Sequence, residues 1–255
     1  MLESKKNRFL IILLLAILAL GLRVWGLDKP QGFWFDELYS YYVAKQSFPL
    51  GILEKLYNED FHAPLYFFVL HFWMKLLGTS DVVIRFLSVI FGVLAVPASY
   101  LAGKEFFNRR AGTLAALMIS LNSLHIFYSQ EVRFYSLTTL LGLLSLYFIA
   151  RILKKPERKS FAGLIIANTL LLYTATISTV FIFIQTIMFT CYLFFENKDL
   201  LKKYITSQFI TLALFLPYLP VVLHQADISK KALINPFSWA YFDFSSILII
   251  IQNWF

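Results

Sequence analysis

A single cysteine in 255 residues excludes a disulfide within the chain. That residue, Cys191, stands inside an apolar run with no companion at metal-ligand spacing. Charge is scarce too, with Asp, Glu, Lys and Arg making up 15% of the residues. The 23 basic residues outnumber the 15 acids, yet they form no basic face or stripe. A nucleic-acid partner is therefore not expected. Repeats and low-complexity tracts are absent. The first apolar run, after Lys5-Lys6-Asn7-Arg8, lacks a convincing small-x-small cleavage site and continues into Arg23-Val24-Trp25. It reads as an uncleaved anchor.

What the chain does have is apolar surface. Hydrophobic residues make up 59% and the mean hydropathy is +0.68, values at odds with a soluble domain. Apolar runs lie at about 9–27, 82–103, 112–128, 134–152, 161–175, 178–195 and 204–223. Each approaches the ~20 residues that a bilayer core requires. The run from 161 to 195 is too long for one helix and divides where Thr and Ser cluster, at Thr174 to Ser178. A further run, Pro64 to Leu77, is short and carries His71 and Lys75.

Charge decides how that short run lies. The connections 1–8, 104–110, 153–160 and 196–203 together hold 13 of the 23 basic residues. The positive-inside rule puts all four on the cytoplasmic side, which is consistent only if 64–77 does not cross. It is expected to lie in the outer interface as a short amphipathic helix. Residues 28–81 then form one long outer loop with seven acids and four bases. A last outer segment is expected over 224–245, followed by another apolar run from Ile247. The expected fold is all-α, a polytopic membrane helical bundle of about seven to eight transmembrane helices with interfacial helices in the first outer loop. Its N-terminus would be cytoplasmic and its location a cell membrane.

Three polar stretches fall on the expected outer side. Gly32-Phe33-Trp34-Phe35-Asp36-Glu37-Leu38-Tyr39 places adjacent carboxylates among large aromatics, a setting suited to a general base. Tyr128-Ser129-Gln130-Glu131-Val132-Arg133-Phe134-Tyr135 puts an acid and an arginine between two spans. Ionisable residues at that depth are costly and mark function by default. Glu131 adds charge to a carboxylate site, and the planar fork of Arg133 suits a phosphate. The competing structural reading is a Glu131–Arg133 pair that caps helix ends. Asn58-Glu59-Asp60-Phe61-His62-Ala63-Pro64 sets His62 just before a helix that Pro64 can open, where it can donate to an anion. His224, Lys230 and Lys231 read as a solvated loop.

Taken together, Leu22-Arg23, the Asp36-Glu37 stretch, His62-Ala63-Pro64-Leu65-Tyr66 and the Tyr128 to Tyr135 stretch resemble the GT-C membrane glycosyltransferases. The likeness is to family 39, which includes protein O-mannosyltransferases and aminoarabinose transferases, and it extends over residues 1–255. It implies the N-terminal conserved module of such an enzyme, with a variable C-terminal module beyond this chain. It also implies inverting transfer of a sugar from a polyprenyl-phosphate donor to a hydroxyl of a membrane lipid or protein. Asp36 would be the base with Glu37 beside it, while His62, Tyr128, Gln130, Glu131, Arg133 and Tyr135 would contact substrate. Asp36, Glu37 and Glu131 are the acids that a divalent cation such as Mg²⁺ or Mn²⁺ would use. His62-Ala63 stands where many relatives have a basic residue, and Leu172-Tyr173-Thr174-Ala175 lacks a histidine that many relatives carry. Two other classes compete: a secondary transporter, and a non-catalytic subunit or truncated remnant. A transporter would place its charges near the bilayer midplane, whereas the acids here cluster in outer loops.

Overall fold

The computed structural model describes residues 5–29, 32–59 and 62–234, and every regular element among them is helical. After α1 (Lys5–Val24), three helices occupy the expected outer loop: α2 (Phe35–Ala44), α3 (Leu50–Glu59) and α4 (Leu65–Leu77). The bundle continues with α5 (Asp81–Phe106), α6 (Arg109–Leu121), α7 (Ser123–Ser129), α8 (Tyr135–Lys154) and α9 (Arg158–Leu172). It closes with α10 (Ser178–Glu196), α11 (Lys198–Phe215), a short 3-10 turn at Leu216–Tyr218 and α12 (Leu219–Ile234).

Local chemistry sets the boundaries. Asn108, Asn122 and Asn197 precede α6, α7 and α11, and each side-chain oxygen accepts from backbone N–H groups of the helix it opens. Asn122 therefore breaks the run expected as one span over 112–128, and α6 and α7 meet at a 59° bend. Gly78, at φ 96°, ends α4 in a conformation that side chains with a Cβ avoid. The turn between Leu172 and Ser178 divides the long apolar run at the expected Thr/Ser cluster. Pro217 sits in the 3-10 turn, after which α12 carries helix past His224 to Ile234. The rest of the expected outer segment and the run from Ile247 lie outside the described residues.

Among the described residues, four helical stretches are long and apolar enough to cross a membrane: α5, α8, α10 and the continuous stretch Lys198–Asp227. The bent pair α6–α7 makes a fifth if it counts as one span. The apolar part of α1, Phe9–Val24, and the 15 residues of α9 fall below that length. Helix α4 has 13 residues, which at 1.5 Å per residue reach about 20 Å against a core of about 30 Å.

Helix α5 is the hub, packed against α8, α6 and α1. Glycines permit the closest of these approaches, since a Cβ on Gly112 would lie 2.6 Å from the Tyr100 carbonyl oxygen. Small residues at such contacts let membrane helices pack through their backbones. One apolar cluster, including Tyr66, Phe67, Ile84, Leu87, Val132 and Phe215, closes one end of the bundle. A second, of Ile149, Ile152, Leu164, Leu193, Leu200 and Tyr204, closes the other. Between them Ser145 Oγ lies 2.6 Å from the Asn168 side-chain amide and 3.0 Å from that of Gln185, pairing polar groups that hydrocarbon cannot solvate. The second end gathers the basic connections, where Lys104 and Lys154 both reach Glu105. The first end gathers the motifs.

Candidate active site

Asp36 and Glu37 open α2 and their charges favour its N-terminus. Their surroundings differ sharply. Glu37 is fully buried and accepts from Arg85 Nε and Nη2, each at 2.8 Å, from Val132 N at 3.1 Å and from Trp34 N at 3.4 Å. Both of its oxygens are engaged in a bidentate, charge-assisted pair. Arg85 is also fully buried and donates to the carbonyls of Gly32 at 2.6 Å and Leu27 at 3.4 Å. This one guanidinium ties α5 to α2 and to the end of α1.

Glu131 is likewise buried, its oxygens taken by the Lys29 ammonium and the Trp34 indole N–H. Asp36 is different: its side chain keeps 32% of its exposure, and its Oδ2 lies 3.7 Å from Arg133 Nη2. Arg133 is 4% exposed and also donates to His62 Nε2 at 2.9 Å. For that contact Nε2 must be unprotonated, so His62 orients Arg133 as an acceptor, not as a second cation. The buried Nε of Arg133 has no partner among the described residues. Glu131 and Arg133 thus pair elsewhere, and the helix-capping pair between them does not form.

The His62 segment is held from three sides. Its carbonyl accepts from Tyr218 OH at 3.2 Å and from Gln225 Nε2 at 3.5 Å, and Leu65 N donates to Tyr173 O at 2.8 Å. Tyr66 OH meets Ser88 Oγ at 3.0 Å, and Ser88 in turn donates to the Arg133 carbonyl at 3.3 Å. Burial pushes the Tyr66 hydroxyl up from its usual range, so it stays a neutral partner. Beside the cluster lies a cleft of about 450 Å³ lined by Lys29, Trp34, Glu37, Tyr128, Glu131 and Tyr135, with Gly32, Phe33 and Phe127. The rings of Tyr128 and Tyr135 are 4.5 Å apart on its wall.

Seven of the eight residues singled out by sequence therefore meet here: Asp36, Glu37, His62, Tyr128, Glu131, Arg133 and Tyr135. Gln130 does not. Its amide donates to the carbonyls of Arg23 and Trp25 at 3.1 and 2.7 Å and fastens the end of α1. His224 stacks on Tyr57, ring centroids 3.9 Å apart, and ties α12 to α3. The three acids do not form a cation cage. Two have their oxygens engaged by protein donors, and among the described residues no three His, Cys, Asp or Glu side chains gather at metal-binding distance.

The motifs do not single out Arg85, Lys29 or Trp34. A signal for Arg85 was present, since it is an ionisable residue inside the apolar run 82–103, where charge marks function by default. Lys29 and Trp34 carry no comparable signal.

The geometry can be set beside known proteins. Residues 61–224 match the model of the dolichyl-phosphate-mannose-protein mannosyltransferase family. That region holds Arg85, Glu131, Arg133 and His62, while Asp36 and Glu37 precede it. No curated protein matches the chain. Among solved structures, the protein O-mannosyltransferase Pmt1-Pmt2 complex of S. cerevisiae, bound to the sugar donor, superposes with a TM-score of 0.65 at 17% identity. The match covers 95% of this chain and 34% of that one. The oligosaccharyltransferase of Archaeoglobus fulgidus, tethered with an acceptor peptide, gives a TM-score of 0.62 at 14% identity, over 98% of this chain and 37% of the other. The chain thus spans about a third of the length of these structures, and at such identities they speak for the fold alone. With the family model covering nearly two thirds of its residues, the chain belongs to the dolichyl-phosphate-mannose-protein mannosyltransferase family, within the GT-C membrane glycosyltransferases.

Proposed function

We propose that this cluster is the catalytic centre of a glycosyltransferase that takes a sugar from a polyprenyl-phosphate carrier and delivers it, with inversion, to a hydroxyl of a protein or membrane lipid. Asp36 takes the proton of the acceptor hydroxyl as its oxygen bonds to the anomeric carbon. The bond from that carbon to the phosphate oxygen breaks on the opposite side, and polyprenyl phosphate leaves with the electron pair. A phosphate leaving group is already anionic, so it calls for a cation and not for a general acid. Arg133 supplies that cation, Glu37 and Arg85 hold α2 in place, and the tyrosine wall flanks the sugar. By the positive-inside rule this end of the bundle faces outward from the cell membrane, opposite the basic connections.

One observation carries the reading. Of the three acids in the cluster, Asp36 alone keeps a partly exposed carboxylate, and it sits beside a buried arginine whose Nε has no acceptor among the described residues. The family name contains a dolichyl-phosphate sugar, and the yeast structure holds a sugar donor, which supports a lipid-phosphate donor here. The purified chain, given a radiolabelled polyprenyl-phosphate hexose and a hydroxyl-bearing acceptor peptide, is expected to release polyprenyl phosphate and label the peptide. Asp36→Asn should slow release by ~10²–10⁴, as general-base loss does, with donor binding nearly unchanged. Donor binding without release would make the chain a binding subunit. Full turnover in Asp36→Asn would move the base elsewhere.

A further inference from the structure

The opposite end of the bundle carries a second cationic feature that the reaction does not use. Between α9 and α11 runs a groove of about 580 Å³, with Arg158, Lys202 and Lys203 at its mouth and Phe161, Ile165 and Ile210 further in. Both helices start at this end, so their register orders the lining. Arg158 is followed one turn on by Phe161 and two turns on by Ile165. Lys202 and Lys203 are followed by Thr206 and then Ile210. The groove is therefore cationic where it opens and mostly apolar along its length, with Thr206 and Ser207 on the α11 side.

The three cations are exposed, and among the described residues none has an ion-pair partner. The nearest acids in sequence do not neutralise them. Glu157 is engaged by Arg151 at 3.2 Å, and Asp199, one turn before Lys202 and Lys203, forms no ion pair among the described residues. Lys104 and Lys154, at the same end of the bundle, do share an acid, Glu105. An apolar wall running away from three unpaired cations complements one class of molecule in a bilayer, a lipid with an anionic head.

We propose that this groove binds an anionic phospholipid, its phosphate on Arg158, Lys202 and Lys203 and an acyl chain along Phe161, Ile165 and Ile210. Basic pockets between membrane helices hold lipid head groups in this manner. The site is independent of glycosyl transfer, and its occupant would brace α9 against α11.

The test uses the full chain in neutral detergent, mixed with phosphatidylglycerol or phosphatidylcholine of matched acyl chains, with retained lipid read by native mass spectrometry. Phosphatidylglycerol should be retained and phosphatidylcholine lost. The triple variant Arg158→Gln/Lys202→Gln/Lys203→Gln should weaken retention by roughly a hundredfold, at roughly fivefold per cation. Lys104→Gln/Arg109→Gln/Arg110→Gln removes equal charge elsewhere and should leave retention within about twofold on the same scale. If the first triple variant folds poorly, Lys203→Gln alone should still show roughly its fivefold share. Equal loss in both triple variants, or equal retention of phosphatidylcholine, would overturn the proposal. Displacement by excess inorganic phosphate would also overturn it, by assigning the groove to a free anion.

Discussion

Asp36 and Glu37 are neighbours in sequence with different surroundings, because successive side chains on a helix point about 100° apart. One turns toward the bundle and meets Arg85; the other stays at the rim beside Arg133. Glu37 is thus a positioning residue in the proposed mechanism. Removing one member of a fully buried pair strands the other, at about 3–5 kcal/mol. Glu37→Met and Arg85→Met should each lower folded yield and melting temperature, and the double Glu37→Met/Arg85→Met variant should recover part of the loss. Additive losses in that cycle would show that the pair is not an energetic unit. Arg133 makes a separate forecast. Charge-assisted hydrogen bonds are worth about 1.5–3 kcal/mol, so Arg133→Ala should cut kcat/KM for the lipid donor about 10- to 150-fold. Arg133→Lys, which keeps charge but not the fork, should lose less. Acceptor KM should be nearly unchanged in both. An unaltered kcat/KM for the lipid donor in folded Arg133→Ala would remove the phosphate role.

At the scale of elements, α4 decides whether the motifs share a side. Its 13 residues are too few to cross a bilayer core, and its apolar Phe72, Leu76 and Leu77 remain exposed. In a Cys191→Ser background, cysteines at the exposed positions Ser47 and Ser80 should react with an impermeant thiol reagent from the same side. Labelling from opposite sides would make α4 a span and separate Asp36 from Arg133. The α5–α6 contact tests a different property. A Cβ at Gly112 meets backbone, whereas one at Gly142 in α8 meets nothing within 4 Å. Gly112→Ala should therefore destabilise by about 1–3 kcal/mol through overpacking. Gly142→Ala should leave the melting temperature unchanged or raise it, since alanine is the better helix former. Equal melting temperatures for the two variants would mean that the helices separate without cost.

Across the whole molecule, charge and chemistry divide between two ends. Cysteines at Phe107 and Glu196, next to the basic connections, should label from the side opposite Ser47; labelling from one side would invert or scramble the topology. Composition and hydropathy were sufficient to specify a helical membrane chain, the division of the run 161–195, and the short helix after Pro64. These are properties of contiguous segments, in which the cost of placing each stretch in water or lipid is local. Asp36, His62, Glu131 and Arg133 were also legible, because polar residues at the ends of apolar runs stand out against their neighbours. Which charge meets which was not legible. Glu131 and Arg133, two residues apart, invite a local pair, yet Glu131 turns to Lys29 and Trp34, and Arg133 to Asp36 and His62. Those partners lie some 70 to 100 residues away in sequence. Hydrophobic periodicity says which face of a helix is buried but not which helix will cover it. Only the packing of α5 against α8 and α1 brings Arg85 under α2, engages Glu37, and leaves Asp36 as the acid with an open side.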